Sequence, residues 1–286
     1  MTKKNPVPGT QATDPLLAES AAVLARPVEI WSGGKASAAT SARDSIARET
    51  AIALIYNDIS HAVMMASPQD LEAFALGFSL SEGIVSNIED IYGITIAATE
   101  AGIEVSLSIA SQCFVNLKNK RRNLTGRTGC GICGAESLQQ LWQPVPAVAS
   151  DFRVDHSAID RATRKLAAHQ PLQTATGGCH AAAWCAVDGT ILCACEDVGR
   201  HNALDKLIGK LWQSQRLGQD GFLLISSRAS YEIVQKSAMA SFGIVVAVSA
   251  PTSLAIEIAL EAGITLVGFS RDQRHIAYTN AQRLRR

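Results

Sequence analysis

Residues 221–269 read GFLLISSRASYEIVQKSAMASFGIVVAVSAPTSLAIEIALEAGITLVGF, and this stretch decides the fold class. Phe222–Ile225, Ile244–Val248 and Ile264–Phe269 are short apolar runs, the pattern of strands buried on both faces. Between them lie two helix-length segments, Ser230–Phe242 and Thr252–Ala262, the second ended by Gly263. Strand–helix–strand–helix–strand units of this length make right-handed crossovers and a parallel sheet, so the fold is α/β. In open parallel sheets, ligands sit beyond the carboxyl ends of the strands. Those ends read Ser226-Ser227-Arg228, Ser249-Ala-Pro-Thr-Ser253 and Ser270-Arg271-Asp272-Gln273-Arg274. Capping hydroxyls at helix starts, together with guanidinium groups, suit an anion; solvated turns with capping serines are the competing reading. The chain has no Walker lysine loop and no G-x-G-x-x-G, so ATP hydrolysis and nicotinamide binding lack support.

Upstream, His180–Val187 and Thr190–Cys195 read as a hairpin turning at Asp188-Gly189, with Cys185 as core filler. Ala158, Ala162 and Leu166 lie on one helix. Leu204, Leu207, Ile208 and Leu211 form the stripe of another, ending near Trp212. The polar set Glu196-Asp-Val-Gly-Arg-His-Asn202 leads into that second helix. Glu196, Asp197 and His201 are either caps and solvated charges or a proton-handling group. Cys179-His180 carries a similar, weaker signal.

In the first half, Glu49–Tyr56 and Ile59–Met65 predict a hairpin around Asn57-Asp58. Ser67 as N-cap, Pro68 at the first helical position and Asp70 three residues after the serine start a helix. Its core face is Leu71, Phe74, Ala75 and Phe78, and Gly83 stops it. Gly102–Ala110 and Phe114–Lys120 read as strands and Ala135–Trp142 as a helix. Gln143-Pro-Val-Pro146 marks a domain boundary. Residues 1–26 lack any period and read as a disordered tail, with order starting near Pro27. The expected organisation is therefore a smaller α+β domain over 27–146 and an α/β domain over 147–286.

Just ahead of that boundary stands Gly126-Arg-Thr-Gly-Cys-Gly-Ile-Cys-Gly134, a Cys-x-x-Cys pair among four glycines. The glycines disfavour helix and strand and leave a loop free to move. Five basic residues precede or enter it (Lys118, Lys120, Arg121, Arg122, Arg127), and no acid lies between Glu104 and Glu136. Positive surroundings favour the thiolate, which is the nucleophile, so Cys130 and Cys133 read as a reactive sulfur site. Half of a zinc site, completed by Cys179-His180 or Cys193-x-Cys195, and a thioredoxin-like redox pair are the alternatives.

Acidic and basic residues balance at 26 each over 286 residues, which gives no global field for nucleic acid. Seven irregularly spaced cysteines fit reduced thiols better than a disulfide framework. No apolar run of about 18 residues occurs, so a soluble, cytoplasmic protein is expected.

Five motifs then stand together: Gly126–Gly134, His180-Ala-Ala-Ala-Trp184, Glu196-Asp-Val-Gly-Arg-His201, Ser226-Ser-Arg-Ala-Ser-Tyr-Glu232 and Leu266-Val-Gly-Phe269. In this order they resemble the formate dehydrogenase accessory sulfurtransferase family, FdhD, over roughly residues 45–280. The resemblance implies a cytidine-deaminase-like mixed/parallel sheet domain beside the smaller α+β domain, and a homodimer. It implies a persulfide taken from a cysteine desulfurase on Cys130, with Cys133 as its partner. That sulfur would go to the molybdenum (or tungsten) bis-guanine-dinucleotide cofactor of formate dehydrogenase, bound as substrate, with no tightly bound metal of the protein's own. The family's guanine-binding segment falls on Phe269, Ser270, Arg271, Asp272, Gln273 and Arg274; where many members have a Pro-Gly turn, this chain has Asp272-Gln273. The zinc motif of the deaminases is absent from the chain.

Overall fold

The computed structural model describes residues 22–31, 40–122 and 145–286. The glycine-rich loop of 126–134 and the helix expected over 135–142 lie outside the described residues.

Two antiparallel strands, β1 (Val23–Ile30) and β2 (Thr40–Ala47), come first and pair only with each other. Structure thus begins before Pro27, inside the segment expected to be a tail. Next are β3 (Thr50–Tyr56) and β4 (Ile59–Ala66), joined by Asn57 and Asp58 at φ 43° and 66°. Both left-handed turn residues match the twist of a two-residue hairpin. β5 (Ile91–Thr99) and β6 (Gly102–Ile109) complete a four-stranded sheet of order β4-β3-β6-β5. One face buries Ile52, Leu54, Tyr56, Val105 and Leu107 against Phe74 and Phe78 of α1 (Leu71–Ser81).

The start of α1 differs from the sequence expectation. Asp70, left-handed at φ 55°, is the N-cap residue, and its side chain makes no capping bond. Ser67 is fully buried and bonded elsewhere: its N–H donates to Asp197 and its hydroxyl accepts from the Val198 N–H. A long-range partner has displaced the local cap. Phe114–Lys120 is also not a strand; it belongs to α2 (Ser111–Arg122). Cys113, Phe114 and Leu117 pack together on the small core at helical spacing, a period that the short alternating reading missed.

Downstream come a short β7 (Val154–Asp155), α3 (His156–Lys165) and α4 (Pro171–Thr176). The second sheet then forms from β8 (His180–Cys185), β9 (Ile191–Asp197), β10 (Phe222–Ile225), β11 (Ile244–Ala247), β12 (Thr265–Arg271) and β13 (Arg274–Ala277). Its order is β13-β12-β11-β10-β8-β9. β10, β11 and β12 are parallel, as expected, while β8, β9 and β13 run antiparallel to their neighbours, which makes the sheet mixed. The turn between β8 and β9 holds three residues rather than two: the Ala186 N–H donates to Thr190 O across Val187–Gly189, with Gly189 at φ 83°.

Side chains alternate across this sheet. Leu223, Ile225, Val245, Ala247 and Leu266 face a layer formed by α5 (Arg200–Gln213), α6 (Tyr231–Met239) and α7 (Ser253–Glu261). Phe222, Leu224, Ile244, Val246 and Val267 face α3. At the start of α7, the Thr252 hydroxyl accepts from the Ala255 N–H, and Gly263 at φ 71° follows its end.

α1 is buried along nearly its whole length because it has two partners. One face lies on the four-stranded sheet and the other crosses α5. A β-carbon on Gly77 would stand 1.7 Å from Asp205 O, and one on Gly209 would stand 1.8 Å from Ala73 O. The two backbones therefore meet directly. Lys236 of α6 ties the same seam, reaching Asp205 of α5 at 3.0 Å and Glu82 at 2.7 Å.

Candidate functional site

Because β8 and β9 are antiparallel to each other and β8 is antiparallel to β10, one sheet edge gathers several motifs. The start of β8 and the end of β9 pair there, His180 opposite Asp197, beside the carboxyl ends of β10, β11 and β12. α5, α6 and α7 all begin at or near this edge. His180, the 196–201 segment, Ser226–Glu232, Ser249–Thr252 and Phe269–Arg274 thus share one rim.

At one end sits a tight polar group. His201 Nε2 lies 2.7 Å from Glu232 Oε2, within ion-pair distance but off the line of a good hydrogen bond. Arg200 approaches the same oxygen at 3.7 Å, and the Ser230 hydroxyl donates to it at 3.1 Å. Burial raises the Glu232 carboxyl, but His201, Ser230 and Arg200 outweigh it and hold the group below its usual range. His180, half-buried, is held below its usual value by burial first and then by the nearby Arg200 and His201. Arg200 Nε is buried and has no hydrogen-bond partner among the described residues. A buried donor left open costs about 1–3 kcal/mol. Glu232 and Arg200 were not read as site residues, because only the tertiary fold brings α5 and α6 together here.

Asp197 and Glu196 are structural rather than proton-handling. Asp197 is fully buried, 2.6 Å from the equally buried Lys206 ammonium. It also accepts from the N–H groups of Ser67 and Gly199 and from the Asn202 amide. Lys206 completes the group by donating to Ser67 O at 2.9 Å. Glu196 accepts from the Leu172 and Gln173 N–H groups, both at 2.8 Å, and so caps the start of α4. The capping reading is met, though at a helix other than the one that follows in sequence.

At the other end, β12 does not stop at Phe269 but continues through a bulge to Arg271. Phe269 has φ 53°, a costly conformation for a bulky residue and one that clusters at functional sites. Its N–H donates to Ser249 O at 3.0 Å, locking the two strand ends together. Ser270 is buried and shares a 2.7 Å hydrogen bond with Thr163. Asp272 and Gln273, at φ 52° and 59°, form the two-residue turn into β13, with Arg271 paired opposite Arg274. Arg271 lies 5.7 Å from the Phe269 ring, and both arginines are exposed.

Cys130 and Cys133 lie outside the described residues. Among the described residues, no group of three or more His, Cys, Asp or Glu side chains could hold a metal ion. No helix among them is long and apolar enough to cross a membrane.

The FdhD/NarQ family model matches residues 47–285. The chain belongs to that family. A relative named sulfur carrier protein FdhD, from Cupriavidus necator, is 52% identical over 241 residues, covering 84% of each chain. The crystal structure of a formate dehydrogenase accessory protein from Desulfotalea psychrophila aligns with TM-score 0.72 at 23% identity, over 93% of this chain and 100% of that one. That likeness shows the fold, a mixed α/β architecture common to both. The family match spans the rim, the Cys130–Cys133 pair and every motif that carried the resemblance.

Proposed function

We propose that this FdhD/NarQ-family protein is a sulfurtransferase for formate dehydrogenase. Cys130 accepts sulfur from a cysteine desulfurase, and the sulfur passes to a molybdenum or tungsten bis-guanine-dinucleotide cofactor bound as cargo. In the accepting step, the Cys130 thiolate attacks the outer sulfur of the desulfurase persulfide. The sulfur–sulfur bond there breaks, the desulfurase cysteine leaves with the electron pair, and Cys133 stands by as the partner thiol. The observation that carries this reading is 52% identity to a sulfur carrier protein across a stretch containing the Cys-x-x-Cys pair.

The rim supports the cargo. Cationic groups stand at both ends, Arg200 near β8 and Arg271 and Arg274 at β12. With strands about 4.8 Å apart, three spacings separate β8 from β12, or roughly 14 Å. An elongated polyanion with pyrophosphate groups suits that span better than a small ion does. With Ser270 turned inward, guanine contact falls to the Phe269 ring, Arg271 and Arg274. The protein works in the cytoplasm, as a homodimer.

Incubation with a cysteine desulfurase and cysteine is expected to add sulfur to the chain, an adduct that reductant removes and Cys130→Ala abolishes. An adduct persisting in that variant overturns the assignment. A Cys130→Ala/Cys133→Ala variant that still activates formate dehydrogenase would leave a cofactor chaperone without sulfur transfer. For the rim, Arg271→Ala and Arg274→Ala are each expected to weaken GDP binding by about 1.5–3 kcal/mol, roughly 10- to 150-fold. Titration calorimetry reads this directly; parental affinity in both variants would place the guanine site elsewhere.

A further inference from the structure

Away from the rim, a cavity of about 510 Å³ opens between β9 and the end of α5. Cys193, Lys210, Gln213, Ser214 and Arg216 line it. It is a shallow depression, largely open to solvent, and not an enclosed pocket. β9 is the outermost strand of its sheet, and Cys193 and Cys195 stand two apart on it, so their side chains share one face. Cys195 is buried, while Cys193 is only half-buried and borders the cavity.

The charges facing Cys193 are Lys210 and Arg216, set against Asp70, which pairs with Lys210 at 2.7 Å. Among the described residues, Arg216 is in no ion pair. The Cys195 thiol hydrogen-bonds to Cys193 and is the main reason the Cys193 thiol is lowered to about 7. Burial and Asp70 oppose that shift, and Lys210 and Arg216 assist it. Cys195 is itself pushed up by the same hydrogen bond and by burial, so it keeps the proton it donates. Cys113, Cys179 and Cys185 are all raised, burial being the first cause for each. Among the described cysteines, therefore, Cys193 alone has a cavity, a thiol donor and two cations.

We propose that Cys193 is a second reactive thiol site, one that takes a small carboxylate-bearing disulfide of the glutathione class into the cavity between β9 and α5. The Cys193 thiolate attacks one sulfur of that disulfide, whose sulfur–sulfur bond breaks as the Cys193–sulfur bond forms. The departing thiolate keeps the electron pair and takes a proton from water. Arg216 holds a carboxylate, and Cys195 steadies the thiolate before attack. This site is independent of the chemistry assigned to Cys130.

The test treats the reduced full-length chain at pH 7 with glutathione disulfide or with neutral bis(2-hydroxyethyl) disulfide, and maps the adducts by peptide mass spectrometry. The glutathione adduct is expected on Cys193 and not on Cys195. Arg216→Gln, at an exposed loop position, should slow it by roughly three- to tenfold while leaving the neutral reagent within about twofold. Cys195→Ala should slow modification at pH 7 and leave the rate above about pH 9 unchanged. An unmodified Cys193 in the folded chain, an adduct on Cys195, or equal loss with both reagents in Arg216→Gln would each overturn the proposal.

Discussion

A Lys206→Met variant is expected to lose about 3–5 kcal/mol of stability, seen as a thermal midpoint roughly 6–20 °C below the parent. Lys206 and Asp197 are both fully buried and 2.6 Å apart. A buried pair gains little over well-packed apolar side chains, but removing one partner strands the other charge away from water. Met keeps the length of the lysine stem, so the loss reports the stranded carboxylate more than a cavity. The three N–H donors to Asp197, from Ser67, Gly199 and Asn202, soften the effect without neutralising it. The double variant Lys206→Met/Asp197→Asn should recover more than half of the loss, because Asn still accepts from those donors and carries no charge. A differential scan of parent, single and double variants decides the matter. A single variant within about 1 kcal/mol of the parent would show that the pair is not a structural pin.

The second large effect is expected at the crossing of α1 and α5. Gly209→Ala places a β-carbon 1.8 Å from Ala73 O, and Gly77→Ala places one 1.7 Å from Asp205 O. No rotamer relieves either contact, since both obstacles are backbone; the helices must separate by more than 1 Å. Overpacking of this kind typically costs about 1–3 kcal/mol and occasionally more. Helix propensity acts the other way, favouring Ala over Gly by about 1 kcal/mol. The net result should still be a loss, of up to about 2 kcal/mol for each variant in urea unfolding and more where the two backbones cannot separate. Gly93→Ala, where a β-carbon meets nothing within 4 Å, is the control and should be near neutral. A stabilised Gly209→Ala chain would mean that propensity, and not backbone approach, governs this crossing.

Both predictions concern the seam where α1 meets the second sheet's helices, and neither was visible in the order of residues. Leu71, Phe74, Ala75 and Phe78 marked one apolar face of α1 correctly, yet Gly77 on another face gave no apolar signal to read. Likewise Ser67 and Asp70 satisfied a local capping pattern, and Ser67 then took partners some 130 residues away. Phe114–Lys120 failed for a different reason: a short stretch of mixed polarity fits a strand or a helix, and packing on the small core chose the helix.

The sequence by itself determined the strand–helix–strand–helix–strand run of 222–269, the hairpin turning at 57–58, the presence but not the turn length of the hairpin of β8 and β9, and the helix stops at Gly83 and Gly263. These depend on hydrophobic period and on turn or cap chemistry, which act over a few residues and survive whatever surrounds them. It also displayed the motifs that place the chain in its family. The tertiary structure alone decided which of those motifs meet. The antiparallel courses of β8 and β9 bring His180, Arg200, His201 and Glu232 to the edge where β10–β12 end. The same fold turned Asp197 into a buried ion-pair partner, drew Ser270 inward and set Cys193 beside Cys195, Lys210 and Arg216. A side chain's charge state and partners depend on neighbours distant in sequence, and only strand order and helix crossings specify who those neighbours are.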